Sequence, residues 1–274
     1  MRGIFEEMLS NYDTSTTEGL RNATLEVIQQ IALAGLQRGG FFDKAAFYGG
    51  TCLRIFHGLN RFSEDMDFTL IRKDETFNLE DYFPSIITEF KALGREIEIT
   101  KKDKKSFGKV ESAFLKDNTH IYNLAFQTEK SYKIKLEIDI EPPLGFNTEV
   151  KLLLRPFSFF TRCLTLSDLY AGKMHALIFR SWGNRVKGRD WYDFEWYVRK
   201  GVKLNFNHLK ERTFEFNGID LTKELFLELL KDRLSNTDIS LVKKDLAPYL
   251  MKADEIEIWS NDYFLQLADM IKFE

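Results

Sequence analysis

The chain has 274 residues, enough for one large domain or two modest ones with a sizeable core. Hydrophobic residues make up 44% and charged residues 30%, with 5 Pro and a net charge of −3, which excludes extended disorder and gives no overall basic signal for nucleic-acid binding. Cys52 and Cys163, the only two cysteines, form neither a zinc motif nor a disulfide framework and fit a reducing compartment.

The first residues of the chain lack the apolar run of a signal peptide. No later stretch is apolar over the length that crosses a bilayer. We therefore expect a soluble, cytoplasmic protein with no membrane partner.

The first half of the chain is predicted to mix helices and strands. Apolar periodicity and glycine stops give helices over 17–37, 51–57 and 79–93, the first of them amphipathic, and strands over 45–47, 66–71, 96–101, 121–127 and 133–141. The strand over 133–141 is the clearest, since its apolar residues alternate with five charged residues. Pro142-Pro143 ends it.

The character of the sequence changes after Pro156. Helices are predicted over 167–181, 190–199, 206–214, 221–234, 239–246 and 260–272. We expect Trp182, Trp191 and Trp196 to lie in the core rather than to form a base-stacking surface. The whole pattern predicts an α+β fold in which a small mixed β-sheet core flanked by helices, over 1–160, is followed by a helical C-terminal domain over 161–274.

A glycine pair follows the strand predicted over 45–47. Gly49, Gly50 and Thr51 lead from that strand into a helix, and in this layout backbone N–H groups and the helix dipole favour a phosphate. Ser63 adds a hydroxyl close to the acids that follow. Glycine pairs mostly form turns, which is the simpler alternative. The position directly before a helix predicts a site for nucleotide phosphates.

Acidic side chains on two predicted strands can share a cation. Asp65 and Asp67 are two residues apart, so on a strand they point to the same side. Glu137 and Asp139 share a face of the strand over 133–141, and either can supply a third carboxylate if the strands pair; we favour Asp139. Solvated surface acids are the alternative. Together these carboxylates predict a site for Mg²⁺, with Mn²⁺ as an alternative, that binds a triphosphate and activates an attacking hydroxyl.

Lys173 and the segment around Gly188 carry the second group of candidates. Lys173 lies on a predicted helix among apolar neighbours, where a lysine either extends to solvent or neutralises phosphate charge. Lys187 and Arg189 flank the glycine and can receive a phosphate of RNA or nucleotide. Asp190 stands at the predicted start of a helix, where a plain N-cap is the structural alternative.

Five motifs then occur in an order that is typical of one protein family. They are Gly-Gly-Thr-Cys-Leu-Arg (49–54), Arg-Phe-Ser-Glu-Asp-Met-Asp-Phe (61–68), Lys-Leu-Glu-Ile-Asp (135–139), Ala-Gly-Lys-Met-His-Ala (171–176) and Val-Lys-Gly-Arg-Asp-Trp-Tyr-Asp (186–193). In this order they resemble the AbiEii/AbiGii toxin family over roughly residues 40–200. That family is similar to nucleotidyltransferases of the DNA polymerase β type, and its toxins belong to toxin–antitoxin and abortive-infection systems against phage.

The resemblance implies a role for each candidate. The implied catalytic residues are Asp65, Asp67, Asp139, Lys173 and Asp190, of which the first three would hold the metal; the implied nucleotide-binding residues are Gly49, Gly50, Thr51, Ser63 and Lys173; Arg54, Lys187 and Arg189 are further candidates for phosphate or acceptor contacts. The domain over 1–160 would then be the nucleotidyltransferase core, and the domain over 161–274 would carry Lys173 and Asp190.

The family's activity implies transfer of a nucleoside monophosphate from a nucleoside triphosphate (NTP), with release of pyrophosphate. The implied acceptor is RNA, in particular tRNA 3′ ends as in some members, with a protein acceptor as an alternative. A cognate antitoxin is the implied partner. A metal-dependent nuclease and a catalytically silent binding protein of the same fold are the alternatives, but the first leaves Gly49-Gly50-Thr51 unexplained and the second has no need for metal ligands.

Overall fold

The computed structural model describes residues 3–101, 119–127, 132–180, 186–251 and 253–274. The chain divides into two compact units, each of which is described by itself. The sheet unit comprises Met1–Gly58, Phe62–Pro142 and Thr148–Cys163, and the helical unit comprises Leu59–Arg61, Pro143–Asn147 and Leu164–Glu274. Two short pieces of the first half of the chain therefore belong to the helical unit.

The helices of the described residues are α1 (Ile4–Leu9), α2 (Thr17–Arg38), α3 (Gly49–His57), α4 (Phe83–Ala92), α5 (Leu166–Phe179), α6 (Gly188–Lys200), α7 (Phe206–Asn217), α8 (Lys223–Asn236), α9 (Ile239–Leu246) and α10 (Asn261–Asp269). The strands are β1 (Ala45–Tyr48), β2 (Met66–Leu70), β3 (Ile97–Lys101), β4 (Thr119–Phe126), β5 (Lys133–Asp139), β6 (Thr148–Leu153), β7 (Phe159–Leu164), β8 (Lys203–Leu204) and β9 (Lys272–Phe273). Short 3₁₀ turns occur at Phe41–Asp43, Leu79–Tyr82, Ala247–Tyr249 and Ala253–Ile256.

The sheet unit is built on a seven-stranded sheet with the strand order β3-β4-β5-β2-β1-β7-β6. The β2–β5 and β1–β7 pairs are parallel, whereas the β1–β2, β3–β4 and β4–β5 pairs are antiparallel. A mixed sheet flanked by helices and followed by a mainly helical half confirms the predicted α+β class.

Strands β6 and β7 lie outside the predicted strands, so the sheet is larger than expected. In β6 the apolar side chains of Val150 and Leu152 are 61% and 52% exposed. A strand at the edge of a sheet need not bury its apolar residues. The run Leu152-Leu153-Leu154 also interrupts the alternation that indicates a strand.

Helix α2 is buried on nearly all sides rather than along one stripe. The side chain of Thr16 caps it by accepting a hydrogen bond from the Gly19 N–H at 2.9 Å. Every residue over 22–36 is buried, so the prediction of an amphipathic helix is wrong. A helix surrounded in this way forms the centre of a core, and α2 packs against α4 and β5.

The two faces of the sheet differ in polarity. Phe68 and Leu136 belong to the buried apolar face, where the ring of Phe41 meets Phe68 edge-on with centroids 5.0 Å apart. Asp67 and Glu137 are paired in the β2–β5 register and are only half-buried. Because neighbours paired across strands point to the same side, the polar face is the one that carries the candidate acids.

The helical unit has an aromatic core. Trp191 packs edge-on against Phe264 with centroids 4.8 Å apart, and Trp259 meets the same ring at 4.9 Å. Trp191 and Trp196 are buried, which confirms their predicted core positions. Trp182 lies outside the described residues.

The end of the chain differs from its prediction. The helix predicted over 260–272 ends at Asp269 in α10, and β9 follows, pairing in parallel with β8. That pairing joins residues far apart in sequence, which local periodicity does not reveal. Within the described ranges, no helix is both long and apolar enough to cross a bilayer.

Candidate active site

Gly49 is the point at which the candidate phosphate segment meets the candidate acids. Strand β1 ends at Tyr48, and α3 begins at Gly49, two residues earlier than predicted, with a φ of +80°. A Cβ at this position would overlap the Oδ2 atom of Asp67. Both the left-handed backbone and the close approach require glycine here. The carboxylate of Asp67 therefore lies against the first turn of α3, where the helix dipole favours negative charge.

Thr51 holds the main chain of Asp65. Its side chain is buried, and its Oγ1 donates a short hydrogen bond to the carbonyl oxygen of Asp65. Thr51 is predicted to bind nucleotide, and its hydroxyl instead contacts the neighbouring segment. Its observed contact positions an acid rather than a phosphate.

Gln29 of α2 braces the same segment from the other side. Its Nε2 donates to the carbonyl oxygens of Ser63 at 2.8 Å and Glu64 at 3.1 Å. The backbone before β2 is thus fixed at three successive residues by Gln29 and Thr51. Gln29 is a residue that the sequence reasoning missed, and its signal was a polar side chain inside an apolar helix.

Strand β5 lies beside β2, which is the pairing that a third carboxylate requires. The register places Glu137 opposite Asp67 and Asp139 opposite Thr69. The Oδ1 atom of Asp139 accepts a hydrogen bond from the Glu141 N–H at 3.1 Å. The register therefore favours Glu137 over Asp139 as the closest partner of Asp67.

Lys135 lies among these acids and was not singled out from the sequence. Its ammonium forms an ion pair with Glu137. Burial by itself would lower the pKa of Lys135, but Glu137, and then Asp65 and Asp67, raise it above its ordinary value. Asp65, Asp67, Glu137 and Lys135 are called the acidic site below. The lysine shows that a positive charge is stabilised at this place.

The donors of the acidic site fit a hard divalent cation in kind. Carboxylate oxygens are the ligands that Mg²⁺ and Mn²⁺ prefer, and Asp65, Asp67 and Glu137 are all half-buried rather than enclosed. Among the residues that the structure describes, no group of three or more His, Cys, Asp or Glu side chains is gathered closely enough to hold a metal ion. The ammonium of Lys135 is the cation around which these acids lie.

Arg54 is engaged inside the sheet unit. Its Nε lies 2.9 Å from Glu26 Oε2, and its guanidinium stacks over the ring of Phe62 at 4.7 Å. Glu26 also accepts a hydrogen bond from the Tyr12 hydroxyl at 3.0 Å. These contacts give Arg54 a structural role in linking α3 to α2, beside its predicted role as a phosphate contact.

In the helical unit, Lys173 contacts two aspartates of α6. Its Nζ lies 3.1 Å from Asp190 Oδ1 and 2.7 Å from Asp193 Oδ2. Arg180 binds the other oxygen of Asp190 at 2.9 Å. Arg61 binds Asp193 with both Nε and Nη2, at 2.7 and 2.6 Å. These five residues are called the ion network below.

The aspartates of the ion network are fully charged despite their burial. Burial alone would raise the pKa of Asp190, but Arg180, Lys173 and Lys187 together hold it well below its ordinary value. Burial opposes ionisation of Asp193 as well, and Arg61 and Lys173 lower its pKa. Paired charges of this kind are maintained only as a complete set.

Asp190 is the third residue of α6, and Lys187 is the residue that precedes the helix. The alternative that Asp190 is a plain N-cap is therefore wrong. Asp193 follows at helical spacing on the same side of α6, where residues three apart are neighbours. Asp193, Arg61 and Arg180 were missed by the sequence reasoning; the Asp-x-x-Asp spacing was the available signal for the first of them.

Lys187 and Arg189 lie at the start of α6. Burial, and then Arg180, lowers the pKa of Lys187 to about 7. The guanidinium of Arg189 stacks over the ring of Tyr249 at 4.2 Å. The structure thus brings Asp65, Asp67 and Glu137 together within the sheet unit, and Lys173, Asp190 and Lys187 together within the helical unit.

Comparisons with known proteins agree with this arrangement. The family model described as "Nucleotidyl transferase AbiEii toxin, Type IV TA system" matches residues 31–273. Among curated proteins no relative matches.

Solved structures of similar fold were found. The MenT4 nucleotidyltransferase toxin of Mycobacterium tuberculosis is 13% identical, with a TM-score of 0.58 over 96% of this chain and 88% of that one. A putative nucleotidyltransferase from H. pylori is 20% identical, with a TM-score of 0.53 over 93% of both chains. JHP933 from Helicobacter pylori is 20% identical, with a TM-score of 0.52 over 91% of this chain and 89% of that one. At these identities the likeness concerns the fold.

Proposed function

Because the chain belongs to the AbiEii nucleotidyltransferase toxin family of type IV toxin–antitoxin systems, we propose that it transfers a nucleoside monophosphate from an NTP to an RNA acceptor, with release of pyrophosphate. The observation that supports this most is the acidic site itself. Asp67 lies against the glycine that begins α3, and three carboxylates surround one positive charge. A phosphate-binding turn beside a cation-binding site is what NTP chemistry requires.

The sheet unit would hold the reacting phosphates. The first turn of α3, at Gly49 and Gly50, offers backbone N–H groups and a helix dipole to the triphosphate. Ser63 would add its hydroxyl, while Thr51 would keep Asp65 in place. Asp65 and Asp67, with a third carboxylate on β5, would hold Mg²⁺ or Mn²⁺.

When bound, the metal supplies the positive charge that neutralises the triphosphate and favours an ionised acceptor hydroxyl. In the transfer, an acceptor oxygen forms a bond to the α-phosphorus, and the bond between that phosphorus and the bridging oxygen of the β-phosphate breaks. A carboxylate of β5, Glu137 or Asp139, would take the proton of the acceptor hydroxyl. Pyrophosphate is the leaving group.

In the helical unit, Lys173 would contribute positive charge to the triphosphate. Asp190 and Asp193 hold its ammonium at 3.1 and 2.7 Å, so their role would be to position Lys173 rather than to bind metal. Such preorganisation costs no reorganisation during the reaction. Lys187 and Arg189 remain candidates for contacts with the acceptor.

The test is a labelling assay. Purified protein is incubated with Mg²⁺, total RNA and each α-labelled NTP in turn, and RNA and protein are separated on one gel. Label in the RNA supports the proposal, and tRNA is the expected acceptor; label in protein would identify a protein acceptor. Shortened RNA without label would indicate a nuclease and overturn the proposal. If an Asp65→Ala, Asp67→Ala double variant labelled RNA as well as the wild type, the acidic site would not be the catalytic site.

The cellular role is tested separately. Membership of a toxin–antitoxin family implies a cognate antitoxin, and we propose that the unneutralised enzyme arrests growth of its own cytoplasm, as in defence against phage. Expression of the wild type without its antitoxin should stop growth, whereas the double variant should not. Harmless accumulation of the active enzyme would contradict the toxin role.

A further inference from the structure

The helical unit contains a cleft whose polar lining is mainly basic. It lies between the end of α5, the start of α6 and the middle of α8. The side chains that line it are Ala176, Leu177, Arg180, Val186, Lys187, Asp190, Trp191 and Arg233. Three of these are cationic and one is acidic, so the lining carries an excess of positive charge.

The single acid of the lining is already occupied. One oxygen of Asp190 contacts Lys173 at 3.1 Å, and the other contacts Arg180 at 2.9 Å. Lys187 and Arg233 therefore add positive charge that this carboxylate does not balance. The pKa of Lys187 is lowered to about 7 by burial and by the neighbouring Arg180, as expected where cations are crowded.

Arg233 points a fixed donor set at this region. One of its terminal nitrogens, Nη2, donates to the carbonyl oxygen of Arg180 at 3.2 Å, which holds the guanidinium in place. Its Nε is buried and has no hydrogen-bond partner among the described residues. A buried donor that lacks an acceptor is costly, and a bound anion would satisfy it. A guanidinium is well suited to phosphate oxygens.

The start of α6 adds to the same field. Gly188 opens a helix of 13 residues, so the positive end of the helix dipole lies beside Lys187. The N–H of Gly188 itself donates to Asp245 Oδ2 at 2.9 Å. The side chains, rather than this backbone group, would make the contacts.

We propose that the cleft formed by Arg180, Lys187 and Arg233 binds a phosphate group. This inference rests on the proposed function for the two possible sources, which are the triphosphate of the nucleotide and the backbone of the acceptor RNA. Both present the same tetrahedral anion, and the experiment distinguishes them.

The experiment compares two probes, an α,β-methylene NTP that cannot transfer its nucleotide and a labelled single-stranded RNA, each bound to the full-length protein with Mg²⁺. The test variant is Arg233→Gln. The matched control is Lys231→Gln on the same helix, which removes one positive charge at a surface pair with Asp269. Arg233→Lys retains the charge but not the planar donors, and Lys187→Gln tests the cleft from α6 in case Arg233→Gln melts early.

We expect Arg233→Gln and Lys187→Gln to weaken binding of one probe about tenfold relative to wild type and Lys231→Gln, which corresponds to the loss of one good charge-assisted contact. Weakened binding of the nucleotide alone assigns the phosphate to the NTP. Weakened binding of the RNA alone, with the slope of log K against log salt reduced by about 0.7, assigns it to the acceptor.

The proposal is overturned if both probes bind Arg233→Gln and Lys187→Gln as they bind Lys231→Gln, or if the wild type binds neither probe. Because these measurements need no turnover, they are independent of the transfer assay. Normal label transfer with unaltered binding in the cleft variants would remove this site and leave the proposed function standing. Weakened binding in the variants of a protein that transfers no label would do the reverse.

Discussion

The acidic site of the sheet unit and the ion network of the helical unit are built from the same residue types with opposite charge balance. In the acidic site, three half-buried carboxylates surround the single ammonium of Lys135. In the ion network, Arg61, Lys173 and Arg180 bind two aspartates that are 2% or less exposed. Accessible acids in excess attract a further cation, whereas enclosed acids fix the cations that surround them.

The comparison assigns different work to aspartates that look alike in sequence. Asp67 is accessible and lies against a helix N-terminus, so its loss should affect chemistry more than folding. Asp193 is enclosed by Arg61 and Lys173, so its loss should affect folding first. The predictions below test this division, beginning with the largest effect.

Replacing Asp193 by Ala should destabilise the protein by about 3–5 kcal/mol, because it removes the carboxylate that both Arg61 and Lys173 contact inside the core. Equilibrium urea unfolding measures this. The matched control is Asp220→Ala, which breaks an exposed pair with Lys210 and should cost no more than about 1 kcal/mol. Equal stability of the two variants would contradict a structural role for the network.

Glu137→Gln and Asp139→Asn decide which acid of β5 completes the acidic site. Since Glu137 is opposite Asp67 and contacts Lys135, we expect Glu137→Gln to lose label transfer by about 10–100-fold, as is typical when support of a metal site is removed. Asp139→Asn should lose less than tenfold. A larger loss in Asp139→Asn would restore Asp139, the residue favoured from the sequence.

Gly49→Ala tests the close approach of Asp67 to α3. The positive φ of Gly49 should cost about 1–2 kcal/mol of stability for any residue with a Cβ, and the overlap with Oδ2 should displace the carboxylate. Gly58→Ala is the matched control, because Gly58 has a φ of +73° but open space around it. Both variants should melt earlier, and only Gly49→Ala should lose activity, by about tenfold. Equal activity would mean that the approach has no catalytic consequence.

Acid sensitivity gives the smallest contrast between the units. Burial, and then Arg212, lowers the pKa of His208 in the helical unit to about 3, and burial, and then Lys151, lowers that of His57 in the sheet unit to about 4. A lowered histidine pKa means that the unfolded state binds the proton first. Stability is therefore lost as the pH falls below about 6.5, by at most about 1.4 kcal/mol per pH unit for each histidine.

Urea unfolding of His208→Gln and His57→Gln between pH ~6.5 and ~4.5 measures this contribution. Each variant should show a shallower loss of stability with acid than the wild type. An unchanged slope in both would show that neither histidine is protonated preferentially on unfolding.

Local pattern in the sequence was sufficient for the central elements of the fold. The alternation of β5 and the glycine stop before α3 are properties of neighbouring residues, and both elements form where they were predicted, apart from end shifts of two residues. Strands β6 and β9 were missed because the first carries exposed apolar residues and the second pairs with a strand far away in sequence. Pairing between distant segments is decided by tertiary contacts.

The same division holds for the candidate sites. Asp65 and Asp67 were predicted from their spacing, and Lys173 and Asp190 from the resemblance. The register that brings Glu137 opposite Asp67 could not be predicted, since one-residue pattern does not fix which residues of two strands face each other. The partnership of Arg61 with Asp193 joins residues 132 positions apart, and nothing local to either residue indicates it.

The most direct test of the account is the dependence of label transfer on Mg²⁺ in Asp67→Asn, beside Glu64→Gln. Both changes neutralise one acid of the same segment, but Glu64 pairs with Arg21 at the surface and lies outside the acidic site. The account predicts that Asp67→Asn loses at least about 100-fold in transfer while keeping its unfolding midpoint, and that Glu64→Gln transfers label at the wild-type rate and Mg²⁺ requirement. Equal activity of the two variants, at every Mg²⁺ concentration, would contradict the assignment of the acidic site as the centre of nucleotidyl transfer.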